Sequence, residues 1–464
     1  MSSEHSNAAE VAHNLATTLS DKARITTDAS SAEFKELLRR WSDLNIQVPS
    51  AIIEPNCEED IVQIVKHAAK HNIPFVAKGG GHSTWSTIGS GGWIIDLSLL
   101  RYISINTSEQ TATIQAGVLT KPINEAVTNA GFMIHTANAA NVGHIGFLLG
   151  GGSSVLLGLH GLAIDALISA RVVTANGRIV IASAIENVDL FWALKGAGQY
   201  FGIVSEVSVK IFPKTTEIIS WACIYGPHQI KEASKAFKEV IDAGDQKSFG
   251  AAMITLPPTF PGSTMPVIVV SVTQFRSEAE AEKVMKPLLD VNPVAQMKRP
   301  IDFSNLTDSA DKIDKKGGLK SNVSCGLKTF KPEYLENALG AWIRLVDEHP
   351  DAASTFFMFI WASKEAMNTF GDQSSAYTHR DIGSWSFLWP SATTEDAFQA
   401  AVQSSEDFVA SIQSGQEESE KAIFPNHSRV KSVEQRYRGE ETRRKLGEVK
   451  RIWDPECRFT SQFL

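Results

Sequence analysis

Cysteine is scarce. Cys57, Cys223, Cys325 and Cys457 are the only four in 464 residues, and no two stand at CxxC spacing. That excludes a thiolate metal cluster or a disulfide framework and predicts reduced thiols. Long hydrophobic runs are missing too. No stretch approaches the roughly 20 apolar residues of a membrane span, and Met1-Ser2-Ser3-Glu4-His5-Ser6-Asn7 lacks the apolar core of a secretory signal. Positive charge is not in excess: 44 Lys and Arg stand against 52 Asp and Glu, a net charge of -8. A nucleic-acid surface would be basic. These absences predict a cytoplasmic protein that binds neither membrane nor nucleic acid.

What is present is the balance of a globular protein, 43% hydrophobic and 21% charged. A chain this long outgrows one core, so two or three domains are expected. Residues 1–30 are polar and Ala/Ser-rich and read as a short helix or a mobile arm. Asn56-Cys57-Glu58-Glu59 has the spacing of a capping box, and Ile61, Val65, Ala68 and Ala69 follow at helical spacing. Strand-like runs lie at 73–77 and 93–97. Residues 122–130 read as a helix stopped by Gly131, and 189–195 as a short helix stopped by Gly196. Asn176-Gly177 between apolar runs at 167–173 and 178–181 predicts a hairpin. From 215 to 420 the texture changes. Strand-like runs at 218–225, 267–273, 355–361 and 384–389 alternate with polar helices, which predicts an antiparallel sheet backed by helices. The Lys/Gly/Asp-rich stretch 312–321 reads as a mobile loop. Glu440 with Arg444 and Glu441 with Lys445, at i,i+4 spacing, mark a solvated helix.

The most informative stretch is Gly79-Gly80-Gly81-His82-Ser83, directly after the strand-like Pro74-Phe75-Val76-Ala77-Lys78. Glycines let backbone come close to a ligand and adopt dihedrals that a Cβ forbids. Their N–H groups can form a nest for phosphate. A histidine on such a loop faces either a ligand or solvent.

This loop and Pro49-Ser50-Ala51-Ile52-Ile53-Glu54-Pro55 resemble the start of the FAD-binding domain of the vanillyl-alcohol oxidase and p-cresol methylhydroxylase (PCMH) superfamily. Three further blocks match in order: Gly143-His144-Ile145-Gly146-Phe147-Leu148-Leu149-Gly150-Gly151-Gly152, then Asp189-Leu190-Phe191-Trp192-Ala193-Leu194-Lys195-Gly196-Ala197-Gly198, then Phe201-Gly202-Ile203-Val204. The end, Arg451-Ile452-Trp453-Asp454-Pro455-Glu456-Cys457-Arg458-Phe459, is similar to the close of the berberine-bridge-enzyme-like branch, which includes 6-hydroxy-D-nicotine oxidase. The resemblance is strong over 35–214, good over 420–464 and weak between.

The resemblance implies an α+β fold: a PCMH-type FAD-binding domain of two α+β subdomains at 35–214, a substrate domain with an antiparallel sheet backed by helices at 215–420, an N-terminal arm at 1–34, and a C-terminal segment, 421–464, returning to the FAD domain. It implies FAD bound at Lys78, Gly79, Gly80, Gly81, His82, Ser83, Gly143, Gly146, Gly150 and Gly151, with Gly202, Ile203 and Val204 over the adenine end. It also implies a covalent bond from His82 to the flavin ring. Many relatives add a second link through a cysteine just before the second glycine block. Here that stretch is Thr136-Ala137-Asn138-Ala139-Ala140-Asn141-Val142, which has none, so single attachment is expected.

The tail departs from the family. Where relatives carry Tyr-x-Asn-Tyr, this chain has Phe424-Pro425-Asn426-His427. Asn426 is kept, and the resemblance implies a hydrogen bond from it to the flavin. The tyrosine base is lost, and His427 is either its replacement or a structural residue. Tyr377-Thr378-His379-Arg380 resembles a strand that runs toward the flavin, which makes Tyr377 and His379 further catalytic candidates. Trp361, Trp385 and Trp389 either pack the core or line an apolar pocket. The expected function is an FAD-linked oxidase that takes a hydride from a small alcohol, amine or secondary metabolite and passes electrons to O2, giving H2O2. The alternative is a flavin-containing isomerase or cyclase with no net redox change. No metal is expected.

Overall fold

Three sheets, of four, five and seven strands, carry the fold. The computed structural model describes residues 2–83, 86–257, 265–308, 310–311, 315–426 and 433–459. Everything below concerns those residues.

The four-stranded sheet has the order Arg24–Thr26, Ala51–Glu54, Trp93–Asp96, Phe75–Lys78. Its last three strands are parallel. Parallel neighbours need a crossover, and helix Glu58–Lys70 supplies one, burying Ile61, Ile64, Val65 and Ala68. The helix start differs in detail from the expected box. The carboxylate that turns back is Asp60, not Glu59; its Oδ2 accepts from the amides of Asn56 (2.9 Å) and Cys57 (3.2 Å). Loops at the carboxyl ends of parallel strands are the ones that meet ligands, and Phe75–Lys78 delivers Gly79 to such an end. The N-terminal segment joins this sheet. Helix Ser2–Leu15 buries Ala8, Val11, Ala12 and Leu15, and Arg24–Thr26 pairs with Ala51–Glu54.

The five-stranded sheet is antiparallel, in the order Ile103–Asn106, Thr111–Gln115, Ile203–Lys210, Leu167–Val173, Ile179–Ser183. Its last two strands form the expected hairpin, with Gly177 at φ +67°. Helix Val188–Ala197 breaks at Gly196, where φ is +119°.

The seven-stranded sheet is antiparallel, in the order Ala295–Pro300, Ile218–Tyr225, Val267–Phe275, Ser248–Thr255, Phe356–Ala362, Ser384–Trp389, Val323–Leu327. Alternate residues turn to opposite faces. One face carries Trp221, Tyr225, Ile254, Phe359 and Trp361 into a core with helices Ile230–Asp242, Glu278–Leu289, Pro332–Glu348 and Glu395–Gln413. The other carries Ile360, Trp385 and Phe387 into the core shared with the first two sheets. This is the α+β organisation that the sequence predicts.

Two connections close the structure. The stretch expected to be a mobile loop is held over its described part: Gly317 N donates to Arg40 O (3.1 Å), and Gly318 N to Asp43 Oδ2 (2.7 Å). At the chain end, Lys450 Nζ of helix Glu440–Trp453 reaches Tyr200 O (2.6 Å) and Asp454 Oδ2 (2.7 Å), both inside the protein. No described helix is long and apolar enough to cross a membrane.

Candidate cofactor and active site

The strand Phe75–Lys78 is anchored just before the glycines. Lys78 is buried, with Nζ 2.7 Å from Asp96 Oδ2 and a second bond to Leu37 O. Its ammonium therefore fixes the strand beneath the loop. Gly81 has φ +74°, a region that L residues with a Cβ rarely enter. A Cβ on Gly80 would lie 2.5 Å from both Asn141 O and Gly143 N. Only bare backbone lets the two glycine blocks meet this closely. The amides of Gly79, Gly80 and Gly81 donate to no backbone acceptor among the described residues.

His82 follows, half-buried, with Nε2 2.7 Å from Asn141 Oδ1. The Trp41 ring stacks on it, 6.3 Å between centroids. Ser83 is exposed, and its carbonyl accepts from Arg40 Nη1 (3.3 Å) and Ser86 Oγ (2.7 Å). Asn141 has no motif of its own. Nothing in the sequence of that cysteine-free stretch marks it.

Gly143 opens the short helix His144–Leu149. A Cβ at Gly146 would meet nothing within 4 Å, so this face of the helix is open. Gly150 and Gly151 have a different task. A Cβ on Gly150 would lie 2.4 Å from Asn426 Nδ2, and one on Gly151 (φ +117°) 2.7 Å from the Tyr377 ring. Asn426 donates from Nδ2 to Phe147 O (2.8 Å) and Gly146 O (3.4 Å), and its Oδ1 accepts from Gly152 N (3.4 Å). The tail is thus sewn to the second glycine block. His144 is buried with no hydrogen-bond partner at either ring nitrogen, and burial pushes its pKa down to about 4.

Tyr377 is buried between Gly151 and Gly196, and burial raises its hydroxyl pKa. His379 is fully buried. Its Nε2 donates to Arg436 O (2.9 Å), and burial lowers its pKa to about 3, so the imidazole is neutral. Arg380 forms a buried bidentate pair with Asp165. Phe424 packs edge-on against Trp385 (5.1 Å) and Phe387 (5.3 Å). His427 lies outside the described residues. The three tryptophans part company: Trp361 packs against the helices, whereas Trp385 meets Phe424 and Trp389 meets Trp41 (5.9 Å). Gly202 precedes a paired strand in which Ile203 and Val204 are buried, and a Cβ on it would lie 2.4 Å from Val172 Cγ1.

Residues 49–183 match the FAD binding domain family. Over 445 residues the chain is 31% identical to the FAD-linked oxidoreductase srdI of Neurospora crassa, covering 92% of this chain and 87% of that relative. The chain belongs to the FAD-linked oxidoreductases. Its fold is that of the PCMH superfamily and its berberine-bridge-enzyme-like (BBE-like) branch. Physcomitrella patens BBE-like 1 superposes with a TM-score of 0.83 at 18% identity, over 97% of both chains. Glucooligosaccharide oxidase from Acremonium strictum gives 0.81 at 22%, over 97% of both. 6-Hydroxy-D-nicotine oxidase from Arthrobacter nicotinovorans gives 0.81 at 20%, over 96% of this chain and 98% of that one. The glucooligosaccharide oxidase is described as carrying a 6-S-cysteinyl, 8α-N1-histidyl FAD.

In this FAD-linked oxidoreductase the residues present fit the cofactor. The glycine loop offers amides without a backbone acceptor and a left-handed turn, the concave arrangement that takes an anion such as a pyrophosphate. Gly146 offers a surface without a side chain, and His144 brings buried ring nitrogens without partners beside it. Two further histidines have partners of their own: His135 Nδ1 bonds Ser154 Oγ (2.8 Å), and His160 stacks on Phe212. No cluster of three or more His, Cys, Asp or Glu among the described residues is placed to hold a metal ion. A cavity of about 520 Å³ lined by His160, Asp165, Lys210, Phe212, Gln246 and Phe370 touches none of the glycines discussed.

Proposed function

We propose that this enzyme oxidises a small, uncharged organic molecule on an FAD attached once, through His82, and returns the electrons to O2 as H2O2. Bound FAD supplies the acceptor for a hydride. The observation that carries the reading is the imidazole of His82, on the glycine loop and held by Asn141. An oriented neutral imidazole is a competent nucleophile. The face that the seven-stranded sheet turns to the shared core supports the substrate side of the reading. Met253, Met358 and Phe387 form one cross-strand row of the sheet, Ile360 and Trp385 the next, and Phe356 and Trp389 a third. None of these side chains is ionisable, which suits an apolar, flat substrate.

The proton must leave by another group. His379, with a pKa of about 3, is a poor acceptor near neutrality. Tyr377 is held protonated by burial. That supports His427 as the acceptor, since Asn426 beside it is fixed to Gly146 and Phe147. We further propose that Gly79, Gly80, Gly81 and Ser83 take the pyrophosphate end, and that residues 421–464 act as a closing segment on the FAD domain.

The test is direct. Acid-precipitated protein should keep its yellow colour, His82→Ala should release it, and turnover of a flat aromatic alcohol or amine should yield peroxide. Colour that washes out of acid-treated wild type would sink covalent attachment. Reduction of the flavin by substrate without peroxide on re-aeration would sink the oxidase reading.

A further inference from the structure

An amide oxygen only accepts hydrogen bonds, so at 2.7 Å from Asn141 Oδ1 the Nε2 of His82 carries the proton. The lone pair of the neutral ring then lies on Nδ1. Asn141 is itself held firmly between anchored neighbours. Ala140 N donates to Asp311 Oδ1 (2.9 Å), Ala140 O accepts from Lys121 N (3.1 Å), and Val142 O accepts from Thr120 N (3.0 Å). The Gly80 backbone closes on the Asn141 carbonyl from the other side. The acceptor is thus preorganised, as a positioning group must be.

We propose that Asn141 is a positioning residue that holds His82 in its Nε2–H tautomer and so directs flavin attachment to Nδ1. This rests on the reading that His82 carries the flavin. In water both tautomers of histidine are populated, so an unheld imidazole would offer either nitrogen. In attachment, the Nδ1 lone pair forms one N–C bond to the ring methyl carbon. One C–H bond of that methyl breaks, its electron pair stays on the ring, and its proton and the Nε2 proton neutralise the reduced ring. Dioxygen then takes the two electrons and two protons as hydrogen peroxide. Positive charge gathers on the imidazole as the bond forms, which strengthens the Nε2–H bond to Asn141.

The experiment compares wild type, Asn141→Ala and Asn141→Asp, each expressed with FAD. Total flavin and thermal midpoint report folding. The acid-stable fraction reports attachment, and NMR of the isolated flavopeptide reports which nitrogen is bonded. Wild type should be linked at Nδ1 alone. Asn141→Ala should lose about threefold to tenfold in acid-stable flavin, the effect of one hydrogen bond, and should show some Nε2 adduct. Asn141→Asp keeps an acceptor, so it should stay linked at Nδ1 and raise the pKa of the linked imidazole. Asn141→Ala with full attachment at Nδ1 alone would overturn the assignment. So would an unchanged imidazole pKa in Asn141→Asp, which stands even if the alanine variant does not fold. A wild type with no histidyl flavin would instead remove the reading about His82 itself.

Discussion

Arg380 and Asp165 lock the two halves of the molecule. Nη1 lies 2.9 Å from Oδ2 and Nη2 2.6 Å from Oδ1, with both side chains only 2% exposed. Arg380 follows the seven-stranded sheet's strand Phe356–Ala362, and Asp165 precedes strand Leu167–Val173 of the five-stranded sheet. Bidentate geometry makes such a pair specific as well as strong. It also fixes the backbone three residues from Tyr377 and one from His379.

Breaking this pair should therefore be expensive. Asp165→Asn leaves a guanidinium buried without its counter-charge, which typically costs about 3–5 kcal/mol. Urea denaturation should show that loss. A variant within 1 kcal/mol of wild type would mean that the two halves are held elsewhere.

Stability should fall on mild acidification through buried histidines. Burial lowers the pKa values of His135, His144 and His379 to about 3, 4 and 3. The unfolded chain binds protons at these sites from about pH 6.5 downward, and the folded one does not. Stability is complete above pH 6.5 and drains as pH drops. At pH 5 each group takes away about 2 kcal/mol. His144→Gln removes one of them, so the stability gap between wild type and variant should narrow by that amount from pH 7.5 to pH 5. A constant gap would contradict the burial of a neutral His144.

Gly80→Ala should push the two glycine blocks apart, since its Cβ would meet backbone on both sides at 2.5 Å. Overpacking of this kind costs about 1–3 kcal/mol. The larger consequence is for FAD content, because the same shift pulls His82 from Asn141. Purified variant should carry clearly less flavin per chain than wild type; equal loading would argue that the loop is not the cradle.

His379→Asn keeps a donor toward the Arg436 carbonyl. Because His379 titrates near 3, it should not set the acidic limb of the kcat/KM profile. The limb should stay at the same pH in the variant, whatever happens to the absolute rate. A displaced limb would return His379 to the role of proton acceptor.

The local features were readable directly from residues. Three glycines before His82, the Asn176-Gly177 hairpin and the spacing of Ile61, Val65 and Ala68 act over a few residues, and their chemistry does not depend on distant partners. Even there, the choice of Asp60 over Glu59 as the turning carboxylate needed the helix geometry.

What only the tertiary structure decided is which distant residues meet. Asn141 is 59 positions from His82, Asp165 is 215 from Arg380, and Asn426 is 279 from Phe147. No periodicity announces such pairs, because each is set by how sheets and loops close on one another. The same holds for Trp361 and Trp385. They share a composition and a strand-like setting, yet one packs on helices and the other on Phe424. Strand register alone chose between them, since a shift of one residue turns a side chain to the opposite face.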